Sequence, residues 1–296
     1  MAPLTRRELL KKAVVLTAGS SVYLGSYAMP TPASMEDKTR VILVRDKDLL
    51  DEKGKIVPSV MEDMLNRALC NLYGVSSPSE AWKKVAGPSD IVGVKSNNWR
   101  FLPTPPELEA VIEKGLIQAG VKKENISIRD RGVLNDPVFQ KATALINTRP
   151  MRTHYWSGVG SLIKNYILFD PNPPKYHPDT CADLAKLWEL PLVKNKTRLN
   201  ILVMVTPLFH GSGPHHFNEE YTWPYKGIIV GTDPVAVDSV GLRIIQAKRK
   251  QFFGDDRPLN PPAKHIYLAD TRHHLGTADP AKIDLITIGW AENQLI

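Results

Sequence analysis

The sequence predicts an α/β protein with a mixed or mostly parallel sheet flanked by helices, in one domain or in two intimately packed lobes. Short β-rich runs alternate with longer stretches of helical periodicity, the pattern of a sheet covered on its faces. The chemically capable stretches fall just after the predicted strands, where ligands collect in such sheets. A hydrophobic content of 43% over 296 residues is enough for a full core.

In chain order, VILV from Val41, DIVGVK from Asp90, ISIRD from Ile126 and ALIN from Ala144 read as strands. LNILVMV from Leu199, GIIVGT from Gly227 and DLITIG from Asp284 complete the set. Between them, VMEDMLNRALCNLYG, PPELEAVIEKGLIQAG, CADLAKLWEL and DPVAVDSVGLRIIQAK carry apolar residues at helical spacing. In GTDPVAVD, Thr232 or Asp233 suits a helix cap and Pro234 the first helical position, with Asp238 near one turn further on. Capping accounts for Asp233 fully and for Asp238 in part. No internal repeat or low-complexity linker appears.

The chain opens MAPLTRRELLKK, a basic head followed by the apolar, small-residue run AVVLTAGSSVYLGSYA. That run is too short and too rich in Gly and Ser for a membrane-spanning helix. Arg6 and Arg7 ahead of Leu9, Leu10 and Lys11 follow the order of a twin-arginine export signal, and Ser26-Tyr27-Ala28 suits cleavage after Ala28. The expected organisation is therefore residues 1–28 as signal and 29–296 as a single α/β domain. It would be exported to the periplasm or another extracytoplasmic space through the twin-arginine machinery, with no permanent membrane anchor. Proteins on this route cross already folded, which leaves room for a cofactor inserted beforehand.

Losing that head removes Arg6, Arg7, Lys11 and Lys12 with Glu8, so the net charge falls from +7 to +4. No basic run is interleaved with aromatics, and nucleic acid is not an expected partner. Two cysteines, Cys70 and Cys181, are too few for a cysteine-ligated iron–sulfur cluster, and either a pair or two free thiols fits them.

Several residues could carry chemistry. In RTHYWSGVGSLIKN, His154 is read as a loop imidazole, and Lys164 as a helical lysine whose ammonium needs a polar partner. Gly158 and Gly160 match neither a P-loop nor a dinucleotide fingerprint. Gly213 and Pro214 belong to a turn able to bring backbone close to a ligand, followed by His215.

Taken together, VGVKSNN at 92, the long segment from Thr104, ALINTRPMRTH at 144, GSLIKN at 160, HPDTCADLAKL at 177, HGSGP at 210 and GIIVGTDPVAVDSVG at 227 resemble one family. It is the domain-of-unknown-function 362 (DUF362) group, and the resemblance is to its subgroup with twin-arginine signals and no ferredoxin module. It implies a shared central region holding Thr153 and His154, Lys164 and Asn165, Gly213 and Pro214, and Asp233 and Asp238. Arg152 stands where relatives commonly have lysine, Asn98 where many have cysteine, and the apolar Met204 region where an aspartate is expected.

The resulting expectation is an enzyme or enzyme-like protein whose central cleft binds a small anionic or metal-associated ligand. Lys95, Asn97, Arg152, Thr153, Asn165, Gly213 and Pro214 are the expected ligand-binding residues. Lys164, His154 and Asp238 are the catalytic candidates, and His154, His215 and Asp233 the metal candidates. Mixed histidine and carboxylate donors would suit a divalent transition metal. A non-catalytic metal or cofactor delivery protein working with a redox partner, and a degenerate scaffold, remain open alternatives.

Overall fold

The strand order explains where a ligand could sit. The computed structural model describes residues 38–211, 213 and 217–296, so the basic head read as an export signal, Pro214 and His215 lie outside the described residues. Among the described residues, eight strands form one sheet: β1 (Thr39–Arg45), β2 (Val92–Lys95), β3 (Ile126–Arg129), β4 (Ala144–His154), β5 (Gly158–Gly160), β6 (Thr197–Leu208), β7 (Gly227–Gly231) and β8 (Ile283–Gly289). Their order is β3-β2-β4-β6-β7-β1-β8, and β5 folds back on the end of β4. The neighbours β3/β2, β2/β4, β4/β6 and β1/β8 are parallel, whereas β7 runs antiparallel between β6 and β1. The sheet is thus mixed and mostly parallel, as the alternation predicts.

Helices cover both faces. On one lie α1 (Pro58–Tyr73), α2 (Pro78–Val85) and α3 (Pro106–Gln118). On the other lie α4 (Pro137–Lys141), α5 (Leu162–Asn165), α6 (Pro234–Phe253) and α7 (Lys264–Thr271). Strand alternation divides the apolar side chains between two cores. Ile42, Val44, Ile201, Val203, Ile228 and Val230 face the α1–α3 side, and Val41, Leu43, Leu202, Met204 and Ile229 face the α6 side. Each such fully buried aliphatic side chain stabilises the fold by about 1.5–3 kcal/mol. All described residues belong to one compact unit. None of the described helices is long and apolar enough to cross a membrane.

Local chemistry fixes the helix ends. Ser77 accepts the Glu80 amide to start α2, and Gly74, at φ 64°, closes α1 in the left-handed region that glycine enters without strain. Asp233 caps α6 through the Val235 and Ala236 amides, with Pro234 following, as its sequence suggests. Close packing also needs small residues. A Cβ on Gly115 of α3 would lie 2.1 Å from the buried Trp82 ring of α2.

Two elements depart from the sequence reading. CADLAKLWEL forms a 3-10 stretch over Leu184–Glu189 rather than an α-helix. Asp179, Thr180 and Cys181 enter it at positive φ (52°, 54° and 63°), and Pro191 follows it closely, which leaves little room for regular α-turns. His154 is not on a loop. It is the last residue of β4, which runs well past ALIN because the buried polar residues beyond it interrupt the apolar pattern without interrupting the strand.

Candidate functional site

The chain leaves β2 for β3 on one side and then returns past β2 to lay β4 on the other side. Loops at the carboxyl ends of β2 and β4 therefore part company, and a crevice opens there. The crevice is a cavity of about 620 Å³, and its walls include Asn97, Trp99, Asp130, Arg149, Arg152, His154, Lys164, Asn165 and His177. A strand break shapes it. Arg149 and Arg152 are three apart on β4, a spacing that normally sends side chains to opposite faces. The register with β6 slips between them, with Pro150 opposite Val203 but Arg152 opposite Leu208, and both arginines line the one cavity.

A network of asparagines holds the floor. Asn165 Nδ2 donates to the carbonyl oxygens of Lys95 and Thr148, each at 3.1 Å, and to Asn147 Oδ1 at 2.9 Å. Asn147 in turn donates to Asn200 Oδ1 at 3.2 Å, and Asn200 to the Thr232 carbonyl at 3.0 Å. All three side chains are buried, so satisfied amides tie β2, β4, β6 and α5 together beneath the cavity. Above them, Arg152 Nη1 donates to Asn97 Oδ1 at 3.0 Å, and its guanidinium lies over the Trp99 ring at 4.6 Å.

Positive charge dominates. Among the described residues, Arg100, Arg131, Arg149, Arg152 and Lys164 line the cavity, against the single carboxylate of Asp130. That carboxylate is already engaged. Lys95, fully buried, donates to Asp130 at 2.8 Å and to the Ser96 carbonyl at 2.6 Å. Burial lowers the Lys95 ammonium to about 8 despite Asp130. Burial opposes ionisation of Asp130, but Lys95 and the Asn98 amide hold it below the usual carboxylate range.

Burial also lowers Arg149, to about 10, and lowers Arg152 well below its ordinary value, with Arg149 adding repulsion in the second case. A guanidinium stays charged even so, and the buried Nε atoms of both residues have no partner. Asp130 attracts both guanidiniums and Asp238 attracts Arg149, but among the described residues neither arginine has an ion-paired carboxylate, so the two adjacent buried cations cost free energy that an arriving anion would relieve.

Lys164 differs from Lys95. Its Nζ meets Cys181 Sγ at 3.6 Å, a weak acceptor, and no carboxylate among the described residues pairs with it. Burial, with Arg149 and Arg152 adding to it against Cys181, brings this ammonium down to about 8. His154 is held neutral, far below its ordinary value, by burial and then by Lys164, Arg149 and Arg152. Its Nδ1 accepts the Trp156 amide at 3.2 Å, which places the ring proton on Nε2. His177 is lowered to about 4 by burial and Lys164, and packs against Trp156 with ring centroids 3.8 Å apart.

Of the residues singled out from the sequence, Lys95, Asn97, Arg152, His154, Lys164 and Asn165 gather at this cavity or directly beneath it. Thr153 is turned instead, with His154, toward an adjoining cavity of about 300 Å³ beside His210 and Arg249, and its hydroxyl has no partner. Gly213 packs close to the Thr153 carbonyl and the Trp99 ring, so a side chain there would meet both. Asp238 lies behind the site, fully buried, and accepts from Ser161 Oγ, Leu162 N and Ile163 N.

Asp233 lines neither cavity. Its two oxygens take the amides of Val235, Ala236 and Thr277. Among the described residues, no three His, Cys, Asp or Glu side chains converge to hold a metal ion, and both cysteines are free thiols.

Arg149, Trp99, Asp130, His177 and Cys181 complete the surroundings without having been assigned roles from sequence. A signal did exist for Asp130, which follows a strand end. None existed for Arg149, whose place depends on the register slip.

No curated protein and no solved structure matches the chain. Residues 121–243, which carry β3 through the first half of α6 and with them Arg149, Arg152, His154, Lys164 and Asp238, match the family model described as domain of unknown function (DUF362).

Proposed function

We propose that this protein is an exported binding or catalytic domain whose switch-point cavity holds a small anion of the carboxylate, phosphate or sulfate class. One observation carries the reading: Arg149, Arg152 and Lys164 are buried around a cavity whose one lining carboxylate among the described residues is already committed to Lys95. The two guanidiniums anchor the anion, Asn97 and Trp99 hold Arg152 in place, and the proton on His154 Nε2 supplies a neutral donor. Donors of this kind favour an anion over a bare metal cation, which the surrounding positive charge would repel.

Calorimetric titration of the folded protein with sulfate, phosphate and pyruvate tests this, with Arg149→Met and Arg152→Met as comparisons. Removing one partner of a buried charge pair costs about 2–5 kcal/mol, so each variant should weaken binding about thirtyfold or more. Unchanged affinity in both variants, with melting temperature preserved, would sink the reading. The export half rests on the order of Arg6, Arg7, Leu9, Leu10 and Lys11. Replacing Arg6 and Arg7 together by lysine should strand the protein in the cytoplasm, and continued export of folded protein would refute it.

A further inference from the structure

We propose that Lys164 captures carbonyl compounds: its amine forms a Schiff base with the carbonyl carbon of a small 2-oxo carboxylate seated on Arg149 and Arg152. The inference rests on the anion reading above and specifies which anion. The two buried lysines near the cavity are not equivalent. Lys95 gives its hydrogens to Asp130 and to the Ser96 carbonyl, and its charge is balanced there. Lys164 lines the cavity, is 4% exposed, and donates to the Cys181 thiol sulfur at 3.6 Å. A lysine without a carboxylate, beside other cations, releases its proton easily and becomes a nucleophile at neutral pH.

The surroundings suit the chemistry. Ile167 and Leu168 add apolar wall to the same cavity, while His154 and His177 offer neutral imidazoles there. Lys164 lies within the short helix α5, whose first amides are held by Asp238, and Asn165 beside it is committed at three hydrogen bonds. The amine therefore projects from a rigid support.

The step balances without a further reactant. The Nζ lone pair attacks the carbonyl carbon, a C–N bond forms, and one amine hydrogen passes to the former carbonyl oxygen through an imidazole. A proton taken from solvent converts that hydroxyl to water, the C–O bond breaks, and the nitrogen lone pair closes the C=N bond. The product is a protonated imine plus one water. The carboxylate stays on the arginines throughout.

The test is reductive trapping on the folded protein, with pyruvate as probe and cyanoborohydride as reductant. The expected result is a single adduct, heavier by one pyruvate less one oxygen, mapped to Lys164 by peptide mass spectrometry, competed by lactate and absent from Lys164→Arg. Labelling that spreads over surface lysines, or persists in Lys164→Arg, overturns the proposal. If Lys164→Arg does not fold, the mapped position in the unaltered chain decides alone. Binding of pyruvate, lactate and sulfate without any trapped adduct rejects the Schiff base and leaves the anion site standing. Failure of all three anions to bind rejects both.

Discussion

The carboxylate of Asp238, inside α6, accepts the Ser161 hydroxyl at 2.7 Å and thereby clamps the helix to the strand-turn that presents Lys164. The Leu162 and Ile163 amides, each at 2.9 Å, complete the clamp. Asp238→Ala strands one hydroxyl and two amides in the interior, and the expected loss is about 3 kcal/mol or more in denaturant unfolding. A change below about half a kcal/mol would mean that these groups find other partners.

The same residue sets a pH signature. Burial first, against the Ile163 amide, the Ser161 hydroxyl, the Leu162 amide and Arg149, raises Asp238 to about 6 in the folded protein. A raised carboxyl binds its proton more tightly folded than unfolded, so its contribution is full below the usual value near 4. It is lost as pH rises through about 6. The stability of the unaltered chain minus that of Asp238→Asn should therefore decline between those values. A difference that stays flat or grows over this interval contradicts the assignment.

Arg152→Lys is not a conservative change here. It keeps the charge but forfeits the Nη1 hydrogen bond to Asn97 and the stacking over Trp99, and should weaken anion binding about tenfold while leaving the melting temperature nearly unchanged. Equal affinity would show that charge alone is used.

Trapping by Lys164 should follow the free amine. Cys181, Arg149, Arg152, His154 and His177 face it, and burial with the two arginines brings it to about 8. The rate should climb about tenfold per pH unit below that value and level off above it. A rate that still climbs past pH 10 at the same slope would point to an ordinary surface lysine.

Asp233 separates two readings of the chain. As a cap holding three amides it should cost about 1–2 kcal/mol when replaced by alanine, with anion affinity unchanged. If Asp233→Ala instead abolishes ligand binding in a folded protein, the carboxylate belongs to a ligand site after all.

The strands were legible because their apolar runs are short, β-branched and bounded by polar loops, as in VILV and GIIVGT. Asp233 and Pro234 announced a helix start by residue type alone. CADLAKLWEL misleads because periodicity cannot reveal the left-handed residues from Asp179 to Cys181 that enter it. Lys95, Arg152, His154 and Lys164 could be picked out as polar residues after strands. Arg149 could not, since strand alternation assigns it to the face opposite Arg152. The pairing of Lys95 with Asp130, which sets it apart from Lys164 on the cavity wall, is a tertiary fact with no local trace.

Trp99 lies over the Arg152 guanidinium and meets Phe101 and Phe217 edge-on at centroid distances of 5.2 and 5.7 Å, while Trp156 stands against His177 on another wall. Indole emission responds to nearby charge and to imidazole contact, so the cavity carries its own optical reporters. Occupancy should register as a change in intrinsic fluorescence, without any label, and Trp99→Phe should erase the part of the signal that originates at the arginine anchor.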